Sequence, residues 1–168
     1  MKDTKQTKKL TFLSMCVAIA LILGYLESLI PLFSGIPGIK LGLSNLVIVW
    51  ILYTYNFKDA LLVNIVRVSL NAILFGNVYS FIFSLAGALI SLCIMHIFNK
   101  MNFHIYSVSM MGGIFHNIGQ MLMAILLTSS QMIYHLPVLL ITGMICGTLN
   151  GILSKLLLKH LNKIMAVQ

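Results

Sequence analysis

The sequence predicts an all-α integral membrane protein with six transmembrane helices. Its 168 residues are 60% hydrophobic and 8% charged, whereas a soluble domain has about 25% charged residues. The mean hydropathy is +1.01. Because so few charges cannot cover a surface that faces water, the composition fits a chain whose solvent is lipid. We therefore expect a multi-pass integral membrane protein.

Clusters of polar residues, glycine and proline divide the chain into six apolar segments. A helix that crosses the hydrocarbon core needs about 20 mostly apolar residues. The predicted spans are 10–29, 42–55, 57–76, 78–98, 106–128 and 135–158. The second is short, and only Gly76 and Asn77 separate the third from the fourth. Residues 10–160 are thus one transmembrane domain between a basic tail, 1–9, and a second tail, 161–168.

The basic residues predict the orientation of these spans. If the N-terminus is cytoplasmic, nine lysines lie on the inner side, only Lys40 lies outside, and Arg67 lies within a span. The inner lysines are Lys2, Lys5, Lys8, Lys9, Lys58, Lys100, Lys155, Lys159 and Lys163. This positive-inside bias predicts that both termini are cytoplasmic. Since the net charge of +8 is not grouped on one soluble face, we expect no nucleic-acid partner.

Small residues repeat at four-residue spacing in the first and last spans. Such spacing lines one helix face with small groups and lets another helix approach closely. The residues are Ser14 with Ala18, Ala20 with Gly24, and the series Gly143, Gly147 and Gly151. Packing within the bundle explains each pattern. A second interpretation is that one face, that of the first span, docks a partner protein.

Polar residues within the third span share one helix face. Asn64, Arg67 and Asn71 follow i, i+3, i+7 spacing, and an ionisable side chain at membrane depth faces a cavity or a partner. One interpretation is that Arg67 pairs with Glu27 or binds carbonyl groups inside the bundle. The other is that it lines a cavity and meets an anionic ligand, which would replace the internal partner.

The stretch IPGIKLGLSN, residues 36–45, places Lys40 just before the second span. A lysine there can extend its ammonium group to the lipid headgroups. Alternatively, Lys40 and the unpaired N–H groups of the helix start, from Gly42 to Asn45, form an anion site. Glu27 lies nearby, at the outer end of the first span.

The fifth span adds a third set of polar candidates, His116, Asn117 and Gln120. These side chains suit hydrogen bonds to a ligand, and hydrogen bonds between helices are the alternative. With the predicted orientation, the polar residues extend from the midplane to the outer face, which predicts a cavity that opens to the exterior. No two histidines have metal-ligand spacing with an acid nearby, so we expect no metal site.

Several segments carry a resemblance to a known family. YLESLIPLFSGIPGIKLGLSNLV, FKDALLVNIVRVSLNAILFG, SLAGALISL and GGIFHNIGQ resemble the bacterial Gx transporter family, also labelled heptaprenyl diphosphate synthase component I. The resemblance covers essentially the whole chain, and PGIKLGLSN and HNIGQ are its most specific parts. That family is related to the S components of energy-coupling factor (ECF) transporters.

This resemblance implies a six-helix, S-component-like bundle in the bacterial cytoplasmic membrane. S components capture a vitamin or similar nutrient from outside, and they work with a transmembrane coupling protein and two cytoplasmic ATPases. The coupling protein touches small-residue motifs on the first helix. Ser14, Ala18, Ala20 and Gly24 loosely match that role.

The family label can be compared with the chemistry that the chain offers. A prenyl diphosphate synthase holds Mg²⁺ with aspartate-rich motifs, because the metal neutralises the diphosphate leaving group. This chain has three acids, Asp3, Glu27 and Asp59, and no two are close in sequence. It also lacks a Walker A motif. We therefore expect a non-enzymatic protein whose use of ATP depends on partners.

Three functions remain open at this stage. The first is a substrate-binding transporter subunit for a small anionic ligand, such as a vitamin, a flavin or another cofactor precursor, with no covalent cofactor. The second is a membrane accessory of flavin- or quinone-linked electron transfer. The third is a non-catalytic component of heptaprenyl diphosphate synthesis. The candidate ligand-binding residues are Glu27, Lys40, Asn45, Arg67, Asn71, His116, Asn117 and Gln120.

Overall fold

The computed structural model describes residues 2–29 and 42–165, and this part of the chain is all α-helical. The helices are α1 (Lys2–Ser28), α2 (Leu43–Thr54), α3 (Phe57–Phe75), α4 (Val78–Lys100), α5 (Ile105–Leu127) and α6 (Leu136–Met165), with a 3-10 helix at Ser130–His135 before α6. The predicted all-α class is therefore confirmed. Lys40 lies outside the described residues.

Four of these helices, α1, α4, α5 and α6, are long and apolar enough to cross a membrane. The chain is thus a multi-pass membrane protein. By contrast, α2 has 12 residues and a length of about 18 Å at 1.5 Å per residue. The 19-residue α3 carries Lys58, Asp59 and Arg67. The count of six spans stays a prediction.

Asparagine side chains fix the starts of α3 and α4. The Asn56 side chain accepts a hydrogen bond from the Asp59 N–H at 3.0 Å, and Asn77 accepts one from the Ser80 N–H at 2.8 Å. Such caps satisfy N–H groups that have no partner inside the helix. The helix boundary predicted at Gly76 and Asn77 is confirmed, because α3 ends at Phe75 and α4 begins at Val78.

Contacts between helix ends show that the chain runs up and down. The Lys9 ammonium lies 2.7 Å from the Asp59 carboxylate, which joins the starts of α1 and α3. The Tyr53 hydroxyl at the end of α2 donates to the carbonyl of Phe103, between α4 and α5, at 3.2 Å. We call this the basic end of the bundle, because Lys58 and Lys100 also lie at these helix ends. Whether it faces the cytoplasm stays a prediction.

The glycines of α6 pack against α5 at backbone distance. A Cβ atom on Gly143 would lie 2.8 Å from the Gly113 carbonyl oxygen, and one on Gly147 would lie 2.7 Å from the Ser109 carbonyl oxygen. Real Cβ atoms essentially never come so close. The prediction that these glycines form a packing face is therefore confirmed, and α5 is the helix that they contact.

The short helix α2 lies at the centre of the bundle. It contacts each of the other five helices, and its residues 46–49, 51 and 52 are buried. Since its last turn is at the basic end, its first turn lies about midway along α3, beside Arg67. A helix start is thereby placed inside the bundle, where its free N–H groups need partners.

Candidate ligand-binding site

Arg67 is the centre of a buried hydrogen-bond network between α2 and α3. Its side chain is 4% exposed. Its Nε donates to Asn64 Oδ1 at 2.9 Å, its Nη1 to Ser44 Oγ at 2.7 Å and its Nη2 to Asn45 Oδ1 at 2.8 Å. Three side-chain oxygens from two helices thus hold the guanidinium group in one orientation.

Asn64 in turn anchors this network to α4. Its Nδ2 donates to the Ala88 carbonyl at 3.0 Å, while its Oδ1 accepts from Arg67. The side chain is 2% exposed. Because both ends of the amide are engaged, Asn64 fixes Arg67 relative to α4 as well as α2. Of the three residues predicted to share one face of α3, Asn64 and Arg67 are buried and Asn71 is partly exposed.

The start of α2 faces the carboxylate of Glu27. Gly42 has φ of 67°, in the left-handed region that favours glycine, and its N–H donates to Glu27 Oε1. Its carbonyl accepts from Asn150 Nδ2 of α6 at 3.0 Å. Glu27 is 8% exposed. The positive end of α2 therefore already has an anionic neighbour from α1.

One cavity, which we call the polar cavity, joins these groups. Its volume is about 130 Å³, and it lies between α1, the start of α2, the second half of α3, and the facing parts of α4 and α5. Of the eight predicted ligand-binding residues, five line it: Glu27, Asn45, Arg67, Asn71 and His116. Asn71 packs against Gly24, where a Cβ atom would lie 2.9 Å from Asn71 Nδ2.

The remaining three predicted residues lie elsewhere. Asn117 is 4% exposed and donates from Nδ2 to the Leu139 carbonyl of α6 at 2.7 Å. Asn117 thus makes a hydrogen bond between helices, which was the alternative to binding a ligand. It does not line the polar cavity. Gln120 lines a second space. Lys40 lies outside the described residues.

The second space, which we call the ring chamber, lies between α4, α5 and the start of α6. Its volume is about 380 Å³. It shares Ser80 and Ser84 of α4 with the polar cavity. Its lining also includes Asn77, Tyr79, Phe83, Gln120, Met121, Ala124, Thr128, Met132, His135 and Leu139. Of these residues, sequence reasoning identified only Gln120 as a candidate ligand contact.

The small residues predicted to dock a partner divide between two faces of α1. Ser14 and Ala18 are exposed, but Ala20 is fully buried and Gly24 packs against Asn71 of α3. Ala20 and Gly24 thus serve the packing of the bundle in this structure. Only Ser14 and Ala18 are on a face that a partner can reach.

The helices and the cavity together describe a multi-pass, all-helical membrane protein with a buried polar cavity around one arginine. The family model described as heptaprenyl diphosphate synthase component I matches residues 16–157. The chain belongs to this family, as its resemblance predicts. No curated protein and no solved structure matches the chain.

Proposed function

We propose that this chain is the substrate-binding subunit of a transporter, similar to an ECF S component, in a bacterial cytoplasmic membrane. It captures a small anionic ligand of the vitamin or cofactor-precursor kind and depends on partner subunits for ATP-driven transport. The observation that carries the proposal is the polar cavity, which places a buried arginine beside the start of a helix. Both cavities lie away from the basic end, which the positive-inside rule assigns to the cytoplasm.

The hydrogen bonds of Arg67 leave room for an anion. A guanidinium group has five N–H donors, and the three bonds to Asn64, Ser44 and Asn45 use three of them. Within residues 2–29 and 42–165, the other two have no hydrogen-bond partner and remain for a carboxylate or phosphate. A bound anion would compete with the Glu27 carboxylate for the positive charge of Arg67. Binding should therefore shift Glu27 away from the start of α2.

The positions of the acids support a non-enzymatic role. In the described part of the chain, Glu27 lies in the polar cavity, whereas Asp59 pairs with Lys9 at the basic end. These two carboxylates cannot act together on Mg²⁺ and a diphosphate, which prenyl transfer requires. The family description also refers to a component I rather than to a whole synthase.

The same description favours a second candidate, a non-catalytic membrane component for isoprenoid diphosphate synthesis. In that case the polar cavity would take the diphosphate or the quinone head of an isoprenoid lipid. The candidate differs from the first in its partner, a prenyl synthase subunit instead of a coupling protein with ATPases. An accessory of flavin- or quinone-linked electron transfer would use the same cavity with a redox partner.

A coupling subunit would dock on the exposed face of α1. Ser14 and Ala18 lie there beside large exposed apolar residues, among them Met15, Ile19 and Ile22. Small residues between large ones let a partner helix approach closely. Ala18→Trp should therefore reduce recovery of a coupling subunit without affecting ligand retention.

The test is to purify the protein in mild detergent and identify the bound small molecule by mass spectrometry. Wild type and the control Lys8→Gln, which is exposed at the basic end, should retain a water-soluble anionic molecule. Arg67→Gln should lose it. Recovery of a quinone or a prenyl diphosphate instead would favour the second candidate. Equal retention by wild type and Arg67→Gln would refute the assignment of the polar cavity.

A further inference from the structure

The two cavities differ in size in a way that restricts the ligand. Pockets for small molecules have volumes of about 300–1,000 Å³. The ring chamber, at about 380 Å³, falls within this range, whereas the polar cavity, at about 130 Å³, falls below it. The space beside Arg67 therefore accommodates one small group, such as a carboxylate or a phosphate, and the bulk of a vitamin-sized ligand needs the chamber.

The two spaces meet at a wall of two serines. Ser80 and Ser84 are one helical turn apart on α4, and both line both cavities. Their side chains are short, so a molecule that occupied both spaces would lie against these two residues. The hydroxyl groups can also donate to or accept from the ligand at that point.

The side chains of the ring chamber suit a flat ring. Tyr79 and Phe83 offer aromatic surface, and Met121 and Met132 offer thioether groups, which make favourable contacts with aromatic rings. Leu139 adds aliphatic surface from α6. A ring system of one or two fused rings has the shape and polarity that such a lining accepts.

Gln120 supplies one unused polar group in this apolar chamber. The residue is 5% exposed, and its Oε1 has no hydrogen-bond partner within residues 2–29 and 42–165. Buried polar atoms nearly always have a partner, as does Asn117 one turn earlier on α5. A half-turn of the terminal amide exchanges its oxygen and nitrogen, so the side chain can aim an acceptor at a ligand.

We infer that the ligand has two parts: a small anionic group beside Arg67, and a ring with an N–H or O–H donor that occupies the ring chamber and bonds to Gln120. This inference rests on the proposed function and specifies the chemical class of the ligand. Gln120 selects for the donor, and the serine wall accommodates the link between the two parts.

The test uses ring probes that lack the anionic group, so it examines the chamber alone. Binding of 5-fluoroindole and 5-fluoro-1-methylindole to the detergent-purified protein is measured by ¹⁹F NMR titration. The two probes differ in one N–H donor, and a hydrogen bond changes affinity by about three- to tenfold. Wild type should bind 5-fluoroindole more tightly by that factor. Partition of the probes into micelles is measured with detergent alone.

Two variants and two matched controls complete the design. Gln120→Leu should abolish the preference for the N–H probe, while Gln6→Leu, the same change at an exposed site of α1, should retain it. Ala124→Phe should fill the chamber and weaken both probes at least tenfold, whereas Leu126→Phe, at a site 75% exposed, should not.

The outcomes separate the inference from the proposed function. Absence of saturable binding to wild type, or an unchanged preference in Gln120→Leu, overturns the inference. If an anionic ligand still co-purifies with wild type and is lost in Arg67→Gln, the proposed function stands although the ring does not occupy this chamber. If the probes do not bind in the ring chamber and no anionic ligand co-purifies with wild type, both the inference and the proposed function are rejected.

Discussion

A double-mutant cycle on Arg67 and Glu27 tests whether the two buried charges stabilise each other. Arg67→Met removes the guanidinium group and leaves the oxygens of Ser44, Asn45 and Asn64 without their donor. Loss of a hydrogen bond from a charged group costs about 1.5–3 kcal/mol, so the loss of all three should destabilise the protein by at least about 3 kcal/mol. Glu27→Gln keeps the shape of the side chain and should cost about 1–3 kcal/mol through the weaker bond to the Gly42 N–H.

The loss in the free energy of unfolding should be smaller in the double variant than the sum of the losses in the two single variants, by about 1–3 kcal/mol. The reason is that Arg67→Met removes a positive charge that favours the buried Glu27 carboxylate, and Glu27→Gln removes the carboxylate that would miss it. The free energy of unfolding is measured by titration with sodium dodecyl sulfate in mixed micelles. Fluorescence of Trp50, the single tryptophan, which packs against Phe12 of α1, reports unfolding.

The ion pair of Lys9 and Asp59 provides a matched control cycle. Its nitrogen and oxygen are 2.7 Å apart, but Lys9 is 40% exposed, so Lys9→Met with Asp59→Asn should show a coupling below about 1 kcal/mol. The reasoning would be refuted if the losses in the free energy of unfolding of the Arg67 and Glu27 variants added within about 0.5 kcal/mol. Such a result would mean that Glu27 is stabilised by other groups.

Three further predictions follow from the packing and the orientation. Gly147→Val should destabilise the bundle by at least about 1–3 kcal/mol, because the valine side chain would overlap the α5 backbone. As a control, Ile145→Val on the exposed side of α6 should change the midpoint of the same titration little. Asn117→Leu should lower stability by about 1 kcal/mol and leave ligand retention in the mass-spectrometric assay unchanged; loss of the ligand would place Asn117 in the site. In intact cells, with the native cysteines replaced by alanine, an impermeant maleimide should label Tyr134→Cys but not Met101→Cys, and the reverse result would invert the orientation.

Periodic patterns along the chain predicted the helices well. Apolar runs and the polar breaks between them mark α2 to α5 within two residues, whereas α1 begins earlier and α6 ends later than predicted. The four-residue glycine spacing identified the face of α6 that meets α5. Both signals are local, because they depend on side chains one or two turns apart. The contact of the Gly42 N–H with Glu27 is not local, since it joins two helices.

The candidate site was predictable only in part. Arg67 stood out because a cation in an apolar helix needs a partner, and its position on a face with Asn64 and Asn71 followed from the helical period. The ring chamber escaped notice because Tyr79 and Phe83 look like any lipid-facing aromatic residues in the sequence. Their i, i+4 spacing gives them a common face of α4, but the chamber that this face lines arises from the packing of α4 against α5 and α6, which no spacing along the chain encodes.

The shortness of α2 has a consequence for how the protein enters the membrane during synthesis. A 12-residue helix covers little more than half of a hydrocarbon core about 30 Å thick, and its neighbour α3 contains Arg67, which insertion strongly disfavours at mid-helix. Each would therefore partition poorly into lipid alone. Because Ser44 and Asn45 of α2 bind the Arg67 guanidinium, the two helices hide each other's polar groups. Biogenesis should accordingly insert α2 and α3 together, as a preformed hairpin, rather than one after the other.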